Sequence, residues 1–128
     1  MRTRKDERGS ATVEFALVLP LLLVIALGLV QVGLIARDQL LVVQASRAGA
    51  REAAVSPDES AVRSAAGDAA AGIDASLLQV DVSWGGGRGE PVMVSVVYQE
   101  PIRVPFVSWL FPPAATLRAS ATMRQEFP

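Results

Sequence analysis

Glu14 raises the clearest chemical question in this sequence, because its carboxyl group lies inside the start of a hydrophobic segment that runs to Ala36. A charged side chain at the middle of a bilayer costs roughly 2.5–3.5 kcal/mol, so ionisable groups in such segments are candidates for function. A cut of the chain after Gly9 would make Glu14 the fifth residue of the shortened protein. The alternative is an interfacial carboxylate that reaches water and has no specific role.

The residues around Glu14 resemble the start of a type IV prepilin. A short basic leader ends in Gly9, and Glu14 is followed by the aromatic Phe15 and by an apolar helix that contains Pro20. The resemblance implies cleavage by prepilin peptidase between Gly9 and Ser10, and pairing of Glu14 with the new N-terminal amine of its own chain or a neighbour. Such pairing is physically reasonable, since opposite charges about 4 Å apart attract by roughly 4 kcal/mol at an effective dielectric constant of about 20.

A longer stretch, covering about the first 55 residues, resembles the TadE-like family of tight-adherence (Flp) pilus assembly proteins. Glycines at positions 28 and 33 and the alanine-rich segment 45–54 follow the cleavage motif in the family's order. The chain departs from the family pattern at Gln31-Val32-Gly33, which stands where an acidic-aromatic-glycine step is expected, and at Phe15, which replaces the tyrosine usual in Flp major pilins. The resemblance implies a pseudopilin whose partners are prepilin peptidase, other pilin or pseudopilin subunits and the pilus assembly platform. Flp major pilins are much shorter, which argues against a bulk filament subunit.

Composition limits the other function classes. The chain has 128 residues, a net charge of -1, and neither Cys nor His. Without a net basic excess, nucleic-acid binding is rejected, and disulfides, thiol chemistry and the commonest general base and metal ligand are missing. The glycine-rich segment 85–89 indicates a flexible turn, because no Lys-Ser/Thr pair follows it as in a phosphate-binding loop. We predict no enzymatic activity, cofactor, metal site or small-molecule substrate.

The hydrophobic segment predicts a single-pass protein of the cytoplasmic membrane. Residues 10–36 are long enough to cross about 30 Å of hydrocarbon, whereas the core of a secretory signal peptide is shorter. The basic leader, residues 1–9, stays in the cytoplasm by the positive-inside rule, which places everything after Ala36 outside. Pro20 predicts a kink or partly unwound turn, or is simply tolerated. Gln31 is expected to bond another helix or to be solvated at the interface.

The remaining chain predicts an α+β, pilin-like fold. The first helix continues through residues 37–55 and carries a strip of small side chains for packing, with its arginines on a solvated face. Residues 56–128 form the extracytoplasmic domain. It begins with a second helix, 57–71, for which Ser56 is the predicted N-cap. Three alternating segments near 78–82, 92–98 and 116–124 then predict a small antiparallel sheet.

A proline-aromatic loop, residues 101–113, separates the last two predicted strands. Its aromatic residues include Trp109 and Phe111. We expect them to cap one end of the sheet, so that Trp109 belongs to the core. The alternative is a docking surface for a partner or for the membrane, since exposed aromatic clusters often mark interfaces. The loop also supports a second functional hypothesis, a signal-anchored domain that binds a cell-envelope ligand and in which Glu14 is incidental.

Overall fold

The computed structural model describes residues 3–128, with side chains from Gly9 onward, and has the predicted α+β architecture. Two helices precede a sheet of three strands, and single turns of 3-10 helix lead into the first and third strands. The helices are α1 (Thr3–Val55) and α2 (Glu59–Ala69), and the strands are β1 (Leu78–Trp84), β2 (Pro91–Pro101) and β3 (Ala114–Arg124).

Helix α1 is one continuous rod of 53 residues, which corresponds to about 80 Å. It begins at Thr3, inside the leader, rather than near Ser10 as predicted. The helix continues through Pro20 without an unwound turn, and a kink there stays a prediction. Within residues 3–128, Gly9–Val55 is the one helix long and apolar enough to cross a membrane.

Helix α2 starts later than the sequence predicted, and Asp58 rather than Ser56 is its N-cap. The Asp58 side chain accepts a hydrogen bond from the backbone N–H of Ser60 at 2.9 Å. Ser56 instead accepts the Asp58 backbone N–H at 3.2 Å. Asp is a strong N-cap residue because its charge also favours the positive end of the helix dipole. Hydrogen bonds from Ser60 lower the pKa of Asp58.

The three strands form an antiparallel meander in the order β1-β2-β3, as the alternating pattern predicted. Val80 pairs with Val96, and Tyr98 pairs with Leu117, on the face turned toward the helices. The glycine-rich segment 85–89 forms the turn between β1 and β2, closed by a bond from Gly85 N–H to the Pro91 carbonyl. The loop between β2 and β3 lies at the opposite end of the sheet.

The core lies between the second half of α1, helix α2 and the sheet. The strip of small residues in α1 packs there as predicted, because close approach of the three elements requires short side chains. At Gly49 a Cβ atom would lie 3.0 Å from Val94 Cγ1 and 3.5 Å from both Val62 Cγ1 and Ala66 Cβ. The fully buried apolar residues of the core are Val42, Ala45, Ala50, Ala53, Val62, Ala66, Val92, Val94 and Val96.

Candidate functional site

The predicted cleavage and pairing residues lie on the exposed N-terminal part of α1. Ser10 Oγ donates a hydrogen bond to Glu14 Oε1 at 3.3 Å, as expected for positions one helical turn apart. Phe15 and Pro20 are exposed on the same rod, whose side chains from position 9 to 23 contact little else in the chain. The site is therefore open to lipid or to other helices along its whole length.

A second group of polar residues lies where α1 meets the loop after β2. Gln31 is fully buried, and its Oε1 accepts the backbone N–H groups of Arg103 at 3.1 Å and of Val104 at 3.0 Å. The expectation that Gln31 bonds another helix, or is solvated, is therefore corrected: it holds a loop of its own chain. Its Nε2 group has no hydrogen-bond partner among the described residues.

Two buried carboxyl groups surround the Arg103 side chain at the same junction. Arg103 Nη2 lies 2.7 Å from Asp38 Oδ2 and 2.9 Å from Glu100 Oε1. Arg37 pairs with the other Asp38 oxygen at 3.2 Å. Burial, and to a lesser extent the neighbouring Asp38, raise the pKa of Glu100 to about 7 against the opposing effect of Arg103. The cluster therefore holds a carboxyl group that changes charge near neutral pH.

Sequence reasoning missed this cluster of Asp38, Glu100 and Arg103, although two signals were present. Asp38 follows Gln31 by seven residues, which places both on one face of a helix. Glu100 continues the alternation of Val96 and Tyr98, which places it on the buried face of β2. Two polar positions on faces that are otherwise apolar indicate a buried polar contact.

Comparison with known families decides the assignment of α1. The family model described as TadE-like protein matches residues 9–51, beginning at the glycine that ends the basic leader. Residues 9–51 of the chain are similar to this family. The match lies within α1 and confirms the resemblance seen in the sequence. No curated protein and no solved structure gives a significant match to the chain.

The TadE-like family is a family of pilus components. The long apolar helix of the chain fits a single-pass membrane protein.

The proline-aromatic loop does not place Trp109 in the core, where it was expected. The Trp109 side chain is 72% exposed, and Phe111 is half-buried. The buried side chains of this loop are instead those of Val104 and Val107.

Proposed function

We propose that this chain is a non-enzymatic pseudopilin for assembly of a tight-adherence pilus, cut by prepilin peptidase between Gly9 and Ser10. The observation that carries the proposal is the TadE-like match, which begins at Gly9. The proposed arrangement has a leader of residues 1–9 in the cytoplasm, a transmembrane helix of residues 10–36 and everything from residue 37 outside. Its partners would be the peptidase, other pilin-like subunits and the assembly platform.

The geometry of α1 supports a role for Glu14 after cleavage. Ser10 would carry the new amine, and its side chain already lies 3.3 Å from the Glu14 carboxylate. A salt bridge within one chain would neutralise both charges inside the apolar segment. The Glu14 side chain is also exposed, so the amine of a neighbouring subunit could take the same place during assembly.

The exposed apolar residues of α1 support lateral assembly. Large side chains between Val13 and Val32 are exposed around the helix, including Leu17 and Leu29. In a membrane such a surface can contact either lipid or the helices of other subunits. The second half of α1 is occupied by its own domain, so the first half provides the surface for other helices.

Cleavage tests the proposal directly. The full chain is expressed in cells with and without a prepilin peptidase, and the mass of the membrane-bound product is measured. Wild type should lose residues 1–9 only when the peptidase is present. Gly9→Val should stay uncut because a branched side chain at this position blocks access to the scissile bond. Gly28→Val is the matched control, since Gly28 lies in the same helix away from the cut, and it should be processed.

A mass that is the same with and without the peptidase would contradict processing. The signal-anchored binding domain would then be the better hypothesis, and the exposed Trp109 and Phe106 are the observation that favours it. That hypothesis predicts that the chain works in cells without any pilus system.

A further inference from the structure

The loop between β2 and β3 has an apolar tip that the core does not use. Residues 104–113 contain no charged side chain. Phe106 is 77% exposed, Trp109 is 72% exposed and Leu110 is half exposed. Three large apolar side chains on one short loop exceed the scattered exposure of a typical soluble surface.

The base of this loop is attached to α1 at a defined position along the helix axis. The hydrogen bonds from Arg103 and Val104 to Gln31, and the ion pair from Arg103 to Asp38, attach it to the helix. The residues from 11 to 30 precede this point and span about 30 Å as a helix, which equals the hydrocarbon thickness of a bilayer. When these residues lie in the hydrocarbon, Gln31 lies at its outer boundary and residues 31–36 of the proposed transmembrane helix lie in the headgroup region. The loop then lies beside Gln31.

The conformation of the loop also allows the Trp109 side chain to be transferred from water into an apolar medium. Trp109 Nε1–H donates to the Phe106 carbonyl at 2.8 Å, so the indole carries its own hydrogen-bond partner. A buried N–H without a partner would be costly, whereas this one stays satisfied in an apolar medium. Tryptophan is enriched at membrane–water interfaces for the same combination of apolar ring and polar group.

The backbone at Phe106 has an unusual conformation that shapes the tip. Its φ is 65°, in the left-handed region that bulky residues rarely adopt. Such strain persists where surrounding contacts hold it, and here the Trp109 bond closes the turn around Phe106. The turn leaves both rings exposed on the loop.

We propose that residues 104–113 insert into the headgroup region of the outer leaflet and hold the domain against the lipid bilayer. The occupant of the apolar tip is lipid, because the loop starts at the end of the membrane-spanning segment and carries no charge to match a protein partner. This inference rests on the proposed membrane insertion of α1. It adds a second membrane contact, made by a loop whose Val104 follows Gln31 by 73 positions in the sequence.

The two tryptophans of the chain allow a matched test in the full-length protein. Trp84 lies at the other end of the domain, where its Nε1 contacts the Ala53 carbonyl. Ala53 is about 33 Å along α1 from Gln31. Trp84→Phe leaves Trp109 as the reporter, and Trp109→Phe leaves Trp84. Each variant is reconstituted in vesicles of phosphatidylcholine and phosphatidylglycerol whose acyl chains carry bromine at a shallow or a deep position.

Trp109 fluorescence should be quenched at least about twofold more strongly than Trp84 fluorescence, and shallow bromine should quench it better than deep bromine. In a chain without either tryptophan, Phe106→Trp should report the same quenching. This second reporter does not depend on the Trp109 hydrogen bond, and circular dichroism checks that each variant is folded.

Equal quenching of both reporters, in vesicles from which alkaline carbonate does not release the protein, would overturn the inference. Release by carbonate would show that α1 does not anchor the chain, and both this inference and the proposed membrane insertion would fail. Protection of Trp109 from aqueous acrylamide without quenching by bromolipid would also overturn it, because a protein surface would then cover the loop.

Discussion

Gln31 and Val104 are joined by a 3.0 Å hydrogen bond across 73 positions of the sequence. The bond links the end of the apolar part of α1 to the loop that follows β2, and a second bond from Arg103 reaches the same oxygen. A single buried side chain therefore holds two backbone groups in place.

Replacing Gln31 by Leu should loosen the loop. The Val104 N–H is buried and would lose its acceptor, at a cost of about 1–3 kcal/mol in the free energy of unfolding of the domain. Amide hydrogen exchange of Arg103 and Val104 should accelerate. Gln44→Leu is the control, because Gln44 is exposed on the same helix, and exchange at the loop should not change. If these amides exchange as slowly in Gln31→Leu as in wild type, the role of Gln31 in holding the loop is contradicted.

The stability of the domain should fall as the pH rises through neutrality. The folded-state pKa of Glu100 is raised to about 7 from an ordinary value of 4.5, so the folded protein binds this proton more tightly than the unfolded chain. Stabilisation is complete below about pH 4.5 and is lost as the pH rises to about 7, by about 1–3 kcal/mol. Denaturant unfolding at pH 5 and pH 8 measures it.

Glu100→Gln should flatten this dependence, since the amide has the shape of the protonated carboxyl group and carries no charge. Glu126→Gln is the control at an exposed position, and it should retain the wild-type slope. An unchanged slope in Glu100→Gln would assign the pH dependence to other groups.

Two helical glycines should respond differently to alanine. At Gly67 an added Cβ would have no neighbour within 4 Å among the described residues, so Gly67→Ala should stabilise the domain by about 0.5–1 kcal/mol through helix propensity. At Gly49 the same Cβ lies 3.0 Å from Val94 Cγ1, and the sheet or helix must shift. We expect Gly49→Ala to be less stable than Gly67→Ala by about 1–3 kcal/mol, measured by denaturant unfolding. Equal effects of the two substitutions on stability would show that the contact with Val94 relaxes at no cost in free energy.

Trp109→Ala should change the stability of the domain by no more than about 0.5 kcal/mol, because the ring is exposed. Val107→Ala should cost about 1–3 kcal/mol, since Val107 is fully buried and its removal leaves a cavity. Unfolding of the full chain in detergent compares the two. A large loss for Trp109→Ala would restore the core role first expected for it.

Glu14→Ala should still insert in the membrane, because the substitution removes a charge from the apolar segment. Assembly should drop, since the amine at the start of a processed helix would lose its partner. Crosslinking to other pilin-like subunits measures this, with Glu59→Ala as an exposed acidic control in α2. Undiminished crosslinking in Glu14→Ala would remove the carboxylate from the assembly mechanism.

The elements of the fold were largely predictable because each has a local signature. The apolar run and the small residues around Gly49 predicted α1, and the alternation through Val92, Val94 and Val96 predicted β2. The N-cap of α2 was misplaced by two residues because Ser56 and Asp58 are both good caps, and only the bond from Ser60 distinguishes them.

The contacts between elements were harder to predict. The Asp38–Arg103 ion pair joins residues 65 positions apart, and no local pattern specifies such a partner. Trp109 is exposed on its loop, whereas Val104 and Val107 of the same loop are buried. Which side chains fit at a packed junction depends on how the elements assemble. Hydrophobicity alone therefore predicted the wrong position, in the core, for Trp109.

Because α1 runs unbroken from the apolar segment into the domain, a tilt of the helix in the membrane also moves the domain. The segment from Gln31 to Ala54 is about 35 Å long, and its far end is held by a 2.7 Å bond from Glu126 N–H to the Ala54 carbonyl. A tilt of about 20°, typical of membrane helices, would displace that end sideways by about 12 Å. Any neighbouring protein that tilts the helix within the bilayer therefore displaces the whole domain outside it.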